Sequence, residues 1–134
     1  PTTTPNQHPD HVAIGGMVRD AARVARFGGV PELREQRPHE IAQLLHYAIT
    51  VEAEPGGALP TIFDVSDEAV MQRWTSAMEA HASQHATRNY VELQLTRARL
   101  LGLRAGCAHA WPLFPNDPLV FESLQPLGRA ARRF

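Results

Sequence analysis

Apolar residues recur at three- and four-residue steps along much of this chain, the spacing that places them on one face of an α-helix. From Val12 onward, Ile14, Met17 or Val18, Ala21, Val24 and Ala25 share such a face, and Gly28–Gly29 supplies a stop, which predicts a helix over about 11–27. Gly15–Gly16 either weakens its early turns or marks a close backbone approach. Val30–Arg37 suits a short helical turn with Pro31 at its first position. Ile41, Leu44, Leu45, Ala48 and Ile49 form the clearest stripe, predicting a helix over about 38–53 that ends at Pro55–Gly57.

Residues 58–65 read as an extended connector whose Thr61–Val65 core has strand propensity but no convincing partner segment. Ser66–Ala69 reads as a helix start, with Ser66 as the capping hydroxyl and acids in the first turn. The run to Leu101 contains neither glycine nor proline. As one helix it would extend about 50 Å, far beyond a globule whose radius of gyration is near ~14 Å. The polar stretch His81–Asn89 and the capping-box spacing of Asn89 and Glu92 place a break there, giving helices over about 66–87 and 90–106. Val70, Trp74, Ala77 and Met78 should face inward on the first. On the second, Val91, Leu95, Ala98 and Leu101 form one stripe and Leu93, Leu100 and Leu103 another, the pattern of a central helix. Trp111–Pro118 is too proline-rich for a helix interior and too apolar to float free, so it should lie across the bundle, with a short helix over about 117–124. The expected architecture is all-α: a single domain over residues 11–127, with about four main helices and an extended Pro-rich C-terminal arm, between a flexible tail at 1–10 and a frayed one at 128–134.

Composition adds bounds. The 134 residues suit one domain, and 43% hydrophobic against 20% charged residues is an ordinary globular balance. Thirteen basic and 14 acidic residues leave a net charge of −1, which excludes a strongly basic nucleic-acid coat. All the basic residues are arginine, an imbalance better explained by the codon bias of a GC-rich bacterial genome than by selection for guanidinium at every position. One cysteine cannot form an internal disulfide, and neither a secretion signal nor a membrane span is evident, so a cytoplasmic protein is expected.

Four groups of residues carry candidate chemistry. His81 and His85, four apart, would share a helix face and could grip a divalent transition metal, with His46 or His109 as a third ligand. Against this stands the number of histidines, seven in the chain, which lets such a pair arise by chance. Cys107 and His109 are too close in sequence to aim at one another as nucleophile and base, and the thiol reads as a small buried hydrophobe. Arg19, Arg23 and Arg26 line one side of the first helix, with Arg97 and Arg104 on the later one and Arg129, Arg132 and Arg133 in the tail. These are phosphate-contact candidates, and a solvated face opposite the apolar stripe explains the first strip without any ligand. Leu93, Leu100, Leu103, Trp111 and Phe114 are more apolar surface than a thin bundle covers, and mark a protein interface.

A helix-turn-helix reading of Glu40–Val51 fails because Pro55–Gly57 leaves no room for a recognition helix. P-loop and dinucleotide spacings are missing, and no catalytic residue can be named. The expected function is therefore that of a small non-enzymatic accessory, regulatory or inhibitor-like protein, without cofactor, acting through contacts with itself or another protein. A metal-binding protein is the first alternative and nucleic-acid binding through the arginine strips the second.

Overall fold

The segment with the clearest helical spacing, residues 38–53, forms a strand and a turn instead. The computed structural model describes residues 1–3, 8–27, 30–85 (of His85 the backbone alone) and 88–127. Its elements are α1 (Pro9–Phe27), a 3₁₀ turn (Pro31–Leu33), β1 (Leu45–His46), a second 3₁₀ turn (Val51–Ala53), β2 (Thr61–Asp64), α2 (Glu68–Glu79), α3 (Ala82–His85), α4 (Tyr90–Ala105) and β3 (Ala110–Pro115). The strands form a three-stranded sheet in the order β1-β3-β2. The chain is thus a mixture of helix and sheet, and the all-α expectation is overturned. The single domain expected over 11–127 is also divided. Pro1–Thr61 with Leu113–Val120 makes one compact unit, and Ile62–Pro112 with Phe121–Phe134 the other.

In the first unit, β1 pairs antiparallel with the end of β3, Leu45 opposite Pro115 and His46 opposite Phe114. Asn116 N donates to Leu44 O (2.9 Å). Antiparallel ladders alternate bonded and non-bonded pairs, so Pro115 falls where the ladder requires no N–H from it. This long-range pairing overrides the helical period of residues 41–49: His46 and Ala48 are buried while Tyr47 between them is exposed, the alternation of a strand. The N-terminal residues add a parallel bridge, Thr2 beside Tyr47, with Thr3 N donating to Tyr47 O (3.0 Å) and Tyr47 N to Pro1 O (2.9 Å). Thr2 and Thr3 are buried, and Thr3 Oγ1 donates to Ala53 O (2.6 Å). Pro1–Thr3 is therefore packed rather than trailing, and Pro9 and Asp10 already belong to α1, so the tail predicted at 1–10 is corrected at both ends. The core of this unit is Ala48, Ala53 and Phe114.

Helix α1 forms where its spacing predicts, but turned. Gly15 is buried because Thr2 O lies where its Cβ would be, 2.6 Å away. The face predicted to point inward points outward: Ile14 is 52% exposed, Met17 69% and Val24 37%.

In the second unit, α2 and α3 pack on α4. Helix α2 is capped by Asp67, whose Oδ1 accepts from Val70 N (3.0 Å), and not by Ser66. It packs through Met71, Trp74, Thr75 and Met78, leaving the predicted Val70 and Ala77 exposed. It ends at Glu79, short of the expected 87. The Asn89–Glu92 capping box forms as predicted, Glu92 N donating to Asn89 Oδ1 (3.1 Å) and Asn89 Nδ2 to Glu92 Oε2 (2.8 Å). Gly106, at φ 73°, ends α4 in the left-handed region that glycine adopts without strain. Buried Gln94, Arg97, Ala98 and Gly102 lie on the inner face of α4, and Gly102 is tight enough that a Cβ would meet Ala108 O at 2.6 Å. The strand propensity of Thr61–Val65 finds its partner in the proline-rich segment read as an arm, and Val65 N donates to His109 O (3.0 Å). The helix expected over 117–124 is not formed, and Val120 and Leu124 are exposed. Among the described residues no helix is long and apolar enough to cross a membrane. Gly28–Gly29 and the tail at 128–134 lie outside the described residues.

The neighbouring glycines of α1 provide a test. Gly15→Ala should lower the unfolding free energy by about 1–3 kcal/mol through the clash with Thr2 O. Gly16→Ala, with nothing within 4 Å, should raise it by up to ~1 kcal/mol through helix propensity. Urea unfolding of both variants reads the difference in sign.

Candidate functional site

Four places gather polar or aromatic side chains. In the first unit, β1 buries His46 between the N-terminal segment and the chain that follows β3. Its Nδ1 donates to Thr2 O (3.1 Å), and its Nε2 lies 3.3 Å from Asn116 Oδ1. Asn116 is itself oriented by donation from Nδ2 to Asp117 Oδ2 (2.9 Å). A cleft of about 220 Å³ opens beside this network, lined by Thr3, Arg19, His46, Pro55, Phe114 and Asn116 among others. The Thr3 hydroxyl and both ring nitrogens of His46 are already engaged, so they offer little to a ligand.

At the start of α1, His8 acts as a cap: Asp10 N donates to His8 Nδ1 (3.3 Å). A nitrogen that accepts an N–H cannot also donate, so its 3.9 Å approach to Asp10 Oδ2 is proximity rather than an ion pair. The His11 ring lies 4.8 Å from that of His8, and His11 Nδ1 is shielded from solvent without a hydrogen-bond partner. Histidines at an N-cap and one turn on lie ahead of the apolar stripe and carry no periodic signal. The Pro9 that follows His8 is the signal that a helix starts there.

In the second unit, Trp74 and Trp111 meet edge to face at 4.9 Å, and the buried Arg97 guanidinium lies 4.7 Å over the Trp111 ring. Arg97 therefore belongs to the interior and not, with Arg104, to an exposed phosphate-contact strip. Ser66 Oγ accepts from His109 N (2.9 Å) and donates to His109 O (3.2 Å), which fixes the backbone at His109. Cys107 Sγ donates to the same carbonyl (3.4 Å), so no thiol–imidazole dyad forms. An open cleft of about 610 Å³ is lined by Glu79, Asn89, Val91, Glu92, Leu95, Thr96, Arg99 and His109. Arg99 Nη1 is already tied to Ala108 O (3.3 Å).

The metal candidates are dispersed. His81 lies exposed between α2 and α3, so His81 and His85 do not share the continuous helix that their spacing implied; the side chain of His85 lies outside the described residues. His46 is committed to its own network, and among the described residues no group of three or more His, Cys, Asp or Glu is placed to hold a metal ion. Of the arginine strip, Arg19 Nε donates to Asp20 (3.4 Å) and Arg26 lies 3.3 Å from Glu40, so two of the three guanidinium groups carry acidic partners. Of the interface candidates, Phe114 is core and Trp111 is half-buried against Trp74. Leu93, Leu100 and Leu103 remain 52%, 59% and 63% exposed, side by side on α4.

Comparison with known proteins finds no matching family model and no matching curated protein. Among solved structures, the chain is similar to the conserved protein TT1542 from Thermus thermophilus, with a TM-score of 0.73 and 24% sequence identity. The likeness takes in 96% of this chain and 54% of that one, so the chain spans about half the length of its structural neighbour. At this identity the likeness establishes fold, and it agrees with a mixed architecture of helices and sheet.

If His46 is a structural tie, His46→Ala should lose about 1–3 kcal/mol of stability, because Thr2 O is left buried without a donor. Asn116→Ala should cost less in the His46→Ala background than in the wild type, a coupling that a double-mutant cycle by chemical denaturation measures.

Proposed function

We propose that this chain works by protein–protein contact, as a docking unit of a larger α/β assembly, and that its principal contact is the apolar face of α1. The observation that carries this reading is the disposition of that helix. With successive residues turned by about 100°, Ile14, Met17, Ala21 and Val24 lie opposite Arg19, Arg23 and Arg26, while the helix packs between these two faces along the line of His11, Gly15, Ala22 and Ala25. An amphipathic helix with a solvated charged face needs no second exposed face that is apolar, and a contiguous surface of this kind marks an interaction site. The Thermus thermophilus neighbour has nearly as much chain again outside the likeness, which supports an α/β polypeptide as the kind of partner that covers such a face.

The test is site-specific photo-crosslinking in the source cell from position 17, with exposed Arg34 as the control position, followed by binding measurements with the purified partner. A partner captured at 17 and not at 34, bound by the wild type and lost in Ile14→Glu at unchanged thermal stability, is the expected result. A drop in stability of Ile14→Glu without loss of binding would make the face part of the protein's own core and end the proposal.

A further inference from the structure

We draw no further inference here: the strongest candidate, the exposed leucine face of α4 formed by Leu93, Leu100 and Leu103, carries nothing because nothing in the structure shows what covers it.

Discussion

The pairing of Leu45 and His46 with Pro115 and Phe114 is the constraint from which the first unit follows. It joins segments about seventy positions apart, as the His46–Asn116 contact shows, and once made it forbids the helix that residues 38–53 would otherwise favour. Because β1 is extended, Tyr47 offers its backbone to Pro1 and Thr3, and His46 turns inward to tie Thr2 O and Asn116. Ala48, Ala53 and Phe114 then close the core over the same few residues. Remove the pairing and the N-terminal residues lose their seat, because their bonds are made to a strand that would not exist.

Small residues set how the helices sit. Gly15 allows α1 to approach Thr2 O, and Gly102 allows α4 to approach the backbone at Ala108 and His109. Side chains of ordinary size at these positions would hold the backbones apart. A helix that packs through a glycine buries little apolar area, so its larger apolar residues are left for other surfaces. That is the physical link between the close approach at Gly15 and the exposure of Ile14 and Met17.

The polar groups of the interior are mostly spent on one another, and this shapes the functional reading. His46, Thr3, Ser66 and Cys107 each have a backbone partner, and Arg97 is stacked on Trp111. Catalytic or ligand-binding constellations usually keep donors and acceptors pointed at a cavity, whereas the Thr3 hydroxyl, both His46 ring nitrogens and Arg99 Nη1 beside the two clefts described are already engaged. The surfaces that still have something to gain by contact are the apolar helix faces, together with the unpartnered nitrogen of His11.

The sequence by itself determined the local, short-range features. The α1 helix, the 3₁₀ turn at Pro31, the Asn89–Glu92 capping box and the Gly106 stop are all decided within a few residues by spacing, capping chemistry and glycine freedom, whereas the end of α2 at Glu79 came earlier than the polar stretch to Asn89 implied. Leu93, Leu100 and Leu103 were also legible as a second stripe, because a helix with apolar residues on two sides can bury only one against a thin neighbour. Tertiary structure alone decided the sheet. Its strands are two, four and six residues long, too short to declare a period of two, and the central one carries prolines that argue against a strand until the register shows where they fall. It also decided which face of α1 is buried and where Arg97 and His46 point, since hydrophobic spacing identifies a helix and its apolar stripe but holds no information about which distant backbone will arrive to cover it.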